Sequence, residues 1–316
     1  VYFPYLRGKQ NELLAVRDCA TTINSNGRIV PIIEPVKRNT DDLIRALKHY
    51  AEQAVPYILI VNPQVGELAK SHDYLESLIS GGQLKLHDGT LLGFIVSEYT
   101  SLTDVREFLS LYSDRPVAFI HSYSFTNPQQ LSGLMGDYSN IAYHIFIDGT
   151  TGNSYRRNFR GYPCALVRDA FKKRKNANYP EDEFFSELHN IYADSNLVGF
   201  GDFTIVGAEY TDGGGPAYAV AIHLTYHRDD GDIWIRHFIS DRTETPKDPA
   251  GKFIEALEKL VEYLDNNLHI SYCRACDEFR DLHIAQHFPQ LGPIKRLSIK
   301  HHIELMSRVL SEAAQI

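Results

Sequence analysis

Seven polar residues each close a short apolar run in this chain: Arg7, Glu34, Asn62, Glu98, His121, Asp148 and Arg168. Each shares parity with residues two and four places earlier that are mostly apolar. Phe3 and Tyr5 stand before Arg7, Val30 and Ile32 before Glu34, Phe94 and Val96 before Glu98. An extended strand sends alternate side chains to opposite faces. One register would therefore bury the apolar residues and lift the polar set to a common rim.

The chemistry open to such a rim is acid–base or metal-assisted. Glu34, Glu98 and Asp148 offer carboxylate oxygens of the kind that hold Mg2+ or Mn2+. His121 titrates near neutrality and could pass a proton. On this reading Glu34, Glu98, His121 and Asp148 form the catalytic set. Arg7, Lys9, Asn62, Arg168 and Lys172, with His302 from the far end of the chain, bind the ligand. Arginine suits bidentate phosphate or carboxylate, and Lys172 opens the run KKRK after Arg168. The competing reading is that these charges pair with one another and bind nothing, and that KKRK is a solvated basic face.

The elements that must position this rim are eight short runs: 2–6, 29–36, 57–62, 92–98, 117–122, 143–149, 164–169 and 203–210. They are rich in β-branched and aromatic residues and read as buried strands. Helical patterns fill most gaps. Thr40 before Asp41 and Asp42 marks one helix start, and Asn127-Pro128 marks another. Eight strands alternating with crossovers predict a (β/α)8 barrel. An open doubly wound sheet is the competitor, but no run is followed by its glycine-rich turn.

A hairpin is expected over 217–240 around the turn Asp229-Asp230-Gly231, inserted after strand eight and lying over the barrel mouth. A helix over 249–267 would serve as the eighth barrel helix. The predicted division is a barrel over 1–267 and a helical extension over 268–316. In this scheme Asp202 lies at the start of strand eight, the wrong end for the rim.

Cys273-x-x-Cys276 with His283 and His287 has a spacing like that of a zinc site. On one continuous helix, however, Cys273 and His287 would be ~21 Å apart at ~1.5 Å per residue, so that set needs a break. Of the adjacent His301 and His302, at most one should act, because neighbours on a helix point apart. The chain carries no G-x-x-x-x-G-K-[ST], H-E-x-x-H or G-x-S-x-G motif, which disfavours P-loop, zincin and α/β-hydrolase chemistry.

The 316 residues carry a formal net charge of −8. This argues against bulk binding of nucleic acid and leaves only a local basic patch for such contact. Four cysteines are too few for a disulfide scaffold and point to a reducing, cytoplasmic setting. No apolar run reaches the ~18 residues of a membrane span, and the first residues do not read as a signal peptide.

YFPYLRGKQNELLAV, PIIEPV, GFGDFTI and KHHIEL, taken in order, resemble the bacterial and phage beta protein family. The shared segments fall here on Arg7, Gly8, Lys9, Glu34, Gly201, Asp202, His301 and His302. The resemblance implies a barrel-like fold and a home in bacteria, phages or mobile elements. It implies no assigned activity and no catalytic residues. Two functions are consistent with the chain. One is a barrel that binds a phosphorylated or nucleotide-like anion, with metal-dependent hydrolase or phosphoesterase chemistry as the reaction open to it. The other is a non-catalytic module of a phage-defence or mobile-element system, docking a protein partner through the hairpin aromatics Tyr218, Tyr226 and Trp234.

Overall fold

The computed structural model describes residues 1–69, 71–267, 270 and 273–313. Its centre is a closed barrel of eight parallel strands. In chain order these are β1 (Tyr2–Leu6), β2 (Ile32–Ile33), β3 (Tyr57–Ile60), β4 (Thr90–Val96), β5 (Val117–His121), β6 (Ile141–Ile147), β7 (Cys164–Arg168) and, after β8 (Asp182–Ser186) outside the barrel, β9 (Gly199–Asp202). The barrel closes where β9 pairs with both β7 and β1.

Closure demands small residues. A Cβ on Gly201 would overlap the Phe3 carbonyl of β1, and one on Gly93 would strike Ile58 and crowd Ile60 and Ile120. Eight strands converging on one axis leave little room inside. The interior accordingly holds Phe3, Tyr5, Ile32, Ile58, Ile60, Ile95, Ala118, Ile120, Ile145, Ala165 and Val167. The larger aromatics Phe94, Phe119, Phe146 and Phe200 point outward, beneath the helices.

The surrounding helices are α1 (Gln10–Asp18), α2 (Ala20–Asn26), α3 (Asp41–Glu52), α4 (His72–Ser80), α5 (Leu102–Leu111), α6 (Pro128–Gly136) and the short α7 (Asn153–Arg156) and α8 (Leu188–Ile191). Ser101 and Asp104 form a capping box on α5, and the Asn127 side chain accepts from the Gln130 N–H to start α6. Each satisfies amide donors that a helix start leaves free.

The hairpin is present as β10 (Ala221–His227) and β11 (Ile233–Ile239), and β8 joins it as a third antiparallel strand. The sheet does not cap the mouth. One face, carrying Ile233 and Ile235, packs with Phe171, Tyr179 and Phe185 in the barrel's outer core. The other, with Ile222, Leu224 and Phe238, packs on α9 (Pro249–Asn266) and α10 (Arg274–Ile284).

The eighth barrel helix is therefore not the 249–267 segment. That role falls to α11 (Leu291–Glu312), whose Ile299, Ile303, Met306 and Leu310 share the barrel's outer core with Cys19 and Ile23. The segment expected to be an appendage completes the barrel, and α9 lies one layer further out.

Strand eight is also shifted. It is Gly199–Asp202, so Asp202 stands at its C-terminal end. Residues 203–216 leave it as a loop, in which Phe203 and Ala208 pack on the barrel interior.

Candidate functional site

At the C-terminal end of the barrel, strands one to three keep the expected register. Arg7, Glu34 and Asn62 share parity with the interior residues Tyr5, Ile32 and Ile60. Strands four to seven have the opposite register. Ile95, Ile120, Ile147 and Val167 are interior, so Ser97, Ser122 and Asp169 continue the inward face. Glu98, His121, Asp148 and Arg168 continue the outer one. The seven residues do not form one ring.

Arg7 and Glu34 form the charged centre of the mouth. Glu34 is fully buried and paired with the Arg7 guanidinium. It also accepts from the Tyr5 hydroxyl at 2.7 Å and from the Gln64 N–H at 2.8 Å. Gly8 makes this possible. Its φ of +61° turns the chain after Arg7, and a Cβ there would lie 3.1 Å from the Glu34 carbonyl. Only glycine adopts that turn without strain. The Arg7 guanidinium lies over the rings of Tyr5 and Phe203, and its Nε is buried without a partner among the described residues. The Arg7 N–H donates to buried Glu12 in the first turn of α1, and burial pushes the Glu12 carboxyl above its usual range.

Segment 203–216 lies over this centre. Arg7 Nη2 donates to the Ala208 carbonyl at 2.6 Å, and Asp169 accepts from the Ala208 N–H. Desolvation beneath the segment pushes the Asp169 carboxyl above its usual range. Lys9 donates to the Thr211 carbonyl at 2.7 Å and stands over the Tyr210 ring. Lys37 pairs with Asp212 and Glu67. Lys173 reaches Glu209 at 3.5 Å and the Thr211 hydroxyl at 3.3 Å. These lysines come from the loops after strands one, two and seven.

The other expected residues are engaged elsewhere. Asn62 is inward, but its amide is spent on β4: Nδ2 donates to the Ile95 carbonyl and Oδ1 accepts from the Ile95 N–H. It extends the sheet where β3 ends. Glu98 is exposed on the outer rim. Asp148 and Arg168 pair at 2.7 Å, and Arg168 also binds Glu187 at 2.8 Å. Glu34, Glu98 and Asp148 therefore do not converge as a Mg2+ or Mn2+ ligand set.

His121 lies in the core between barrel and helices. It bonds Tyr155 through Nδ1 and His144 through Nε2, with Phe146 and Phe159 against its ring. Burial, with His144 beside it, holds its pKa well below the usual imidazole value, so it is not a proton shuttle at the mouth. Lys172 and Arg174 both pair with Glu183 of β8. His302, on the buried face of α11, is fully covered. Its Nδ1 meets the Thr225 hydroxyl at 2.8 Å and its Nε2 faces both Asp202 oxygens at 3.2 Å. Asp202 also accepts from Tyr2 at 2.9 Å. This network joins the barrel wall, α11 and the added sheet.

The hairpin aromatics are largely occupied. Trp234 is covered by Arg228 and Phe184, and the Tyr226 hydroxyl donates to Asp182, while Tyr218 is exposed. A groove of about 580 Å3 lies away from the mouth, between β11 and α9, lined by Arg236, Lys259 and Tyr263 among others. It holds none of the mouth residues.

A second cluster was not assembled from the sequence. Cys273, Cys276 and His301 offer donor atoms within 4.8 Å of one another. The third member is His301 of α11, and neither His283 nor His287 takes part. Glu304, one turn beyond His301, hydrogen-bonds Cys273 and accepts from the Ala275 N–H.

Tyr5, Glu12, Lys37, Gln64 and Asp169 are the mouth residues that sequence reasoning missed, whereas Lys173 lies within the KKRK run singled out from the sequence. A signal for the register was present: Gly93, Ala118, Ala165 and Gly201 share the parity of the true inward face. Among the described residues no helix is long and apolar enough to cross a membrane. The fold defines the chain as a closed parallel β/α barrel with an added antiparallel layer. No protein-family model matches the chain, and no curated protein shows a significant match to it.

Proposed function

We propose that the C-terminal mouth of this barrel binds a small anionic ligand, phosphorylated or nucleotide-like, and that segment 203–216 is the lid over it. The observation that carries this reading is the convergence of Lys9, Lys37 and Lys173, from three separate loops, on residues 209–212. In the closed state the lid's own Glu209, Asp212 and Thr211 carbonyl occupy the cations. An anion entering the mouth would take their place. Barrels commonly bind phosphate beside the loops after strands seven and eight, and Lys173 and the lid are those loops.

Phe203 and Ala208 anchor the start of the lid on the barrel interior, but its outer part, residues 209–212, is held weakly enough to yield. Its ion pairs are exposed, and pairs of that kind contribute about 0–1 kcal/mol each. Beneath it, Arg7 offers a guanidinium held by Glu34 and Tyr5. If the mouth is catalytic, acid–base work falls to Asp169 and Glu34, the inward carboxylates. A hydrolase using a carboxylate-bound metal is not favoured, because its expected ligands are dispersed. Membership of the beta protein family, and with it a home in bacteria, phages or mobile elements, belongs to the same proposal and rests on the motifs quoted above; a cytoplasmic setting rests on the few, unpaired cysteines.

The test is calorimetric titration with pyrophosphate and a panel of nucleotides at low ionic strength. The wild-type chain should bind at least one of them, and Lys9→Ala/Lys37→Ala/Lys173→Ala should lose that binding while keeping its melting temperature. Equal affinity in the triple variant would refute the site.

A further inference from the structure

We propose that Cys273, Cys276 and His301 form a binding site for a thiophilic divalent cation, zinc, which staples the outer layer of the molecule to the barrel. Cys273 is the N-cap residue of α10 and Cys276 lies in its first turn, so both thiols face the same side. His301 comes from α11, the helix that completes the barrel. Its Nδ1 lies 3.1 Å from the Cys273 sulfur and 3.5 Å from the Cys276 sulfur.

The imidazole is oriented as a ligand. Its Nε2 donates to the Thr225 carbonyl of β10 at 2.7 Å, which leaves the Nδ1 lone pair directed at the two sulfurs. A carbonyl on the remote nitrogen is the usual support of a metal-bound histidine, because it fixes both tautomer and ring plane. Two thiolates and an imidazole are a donor set typical of zinc. With Zn–S near 2.3 Å and Zn–N near 2.0 Å, tetrahedral donors would stand ~3.5–3.8 Å apart. The sulfurs are 3.1 Å apart without an ion, so a small side-chain rotation would open the site. The fourth position would fall to a water, with Glu304, which accepts from the Ala275 N–H, standing beside the cluster.

The location gives the ion a purpose. The cluster joins α10, α11 and β10, the elements that tie the added layer to the barrel. The neighbouring His302 carries the connection onward to Asp202 at the end of strand eight.

The competing fate of these sulfurs is a Cys273–Cys276 disulfide, and one experiment separates the two. The wild-type chain, purified under reducing conditions without chelator, is analysed for metal, and zinc affinity is then measured by competition with a chromophoric chelator. The expected result is one zinc per chain. Cys273→Ser and His301→Asn should weaken binding by more than the ~10–100-fold that loss of an outer-shell partner costs, while His283→Ala and His287→Ala leave it unchanged. Should the ligand variants fail to fold, wild-type alkylation gives the answer: zinc should shield Cys273, the partly exposed thiol, from iodoacetamide, and its removal should leave that thiol open to reaction. A reduced chain that takes up no zinc, variants that keep it, or a disulfide in place of zinc-bound thiols would overturn the proposal.

Discussion

Arg7 and Glu34 meet at the mouth corner of the first two barrel strands, with the carboxylate fully buried and the guanidinium only slightly exposed. Removing one partner would leave the other charge desolvated and alone, which typically costs ~3–5 kcal/mol. Glu34→Ala should therefore lower unfolding stability in urea by about that amount. Arg7→Met/Glu34→Leu should cost clearly less than the two single changes together, because neither leaves an orphan charge. Additive losses would show that the pair is not coupled.

The buried pair of His121 and His144 gives stability a pH dependence of known sign. Burial lowers both pKa values, His144 to about 3 and His121 well below the usual 6.5, with His144 adding to the effect on His121. In the unfolded chain both return to about 6.5. Above that pH neither state binds the protons and stability is unaffected. As pH falls from 6 towards 4 the unfolded state takes up protons that the folded state refuses, so stability declines. Each histidine contributes up to ~1.4 kcal/mol per pH unit, and His237, lowered to about 4 chiefly by burial, adds to the same slope. Urea unfolding across this range should show the decline, and His144→Gln should flatten it. A slope unchanged in the variant would contradict the assignment.

Strand eight can be tested through its glycines. Gly201→Ala sets a methyl against the Phe3 backbone of the adjoining strand, where relief requires strands one and eight to part. Overpacking of this kind costs about 1–3 kcal/mol or more. Gly133→Ala, in the open middle of α6 with nothing nearby, should instead be neutral or stabilising by up to ~1 kcal/mol. Thermal melts of both variants provide the comparison, and equal shifts would count against this strand-eight register.

The barrel was legible because eight β-rich runs alternate with helical patterns, and that order survives local errors. Which way each strand faces was not. A barrel strand is buried on both sides, one against the axis and one against helices, so its apolar run carries no alternation to set the register. Choosing the register by the last polar residue placed Arg7, Glu34 and Asn62 correctly and Glu98, His121, Asp148 and Arg168 on the wrong side. Side-chain size would have served better, since Gly93, Ala118, Ala165 and Gly201 mark the crowded interior.

Long-range partners were hidden for a different reason. His301 meets Cys273, and His302 meets Asp202, only because α11 returns to fill the eighth helical place. Helical periodicity cannot say where in the molecule a helix docks. The segments that suggested the family resemblance do meet in space: Gly8 lies against Glu34, and Asp202 lies against His302. Their order along the chain gave no sign of those contacts.

On the proposed reading, Glu209 and Asp212 of the lid stand where a ligand's anionic groups would bind. Pyrophosphate affinity of the wild-type chain, compared with that of Glu209→Gln/Asp212→Asn by calorimetry at one fixed low ionic strength, tests this most directly. Removing the competing carboxylates should release Lys173, leave Lys37 held by Glu67 alone, and tighten binding by roughly tenfold, equivalent to about 1.4 kcal/mol. Unchanged or weaker binding by the variant would contradict the claim, as would the absence of binding by either protein.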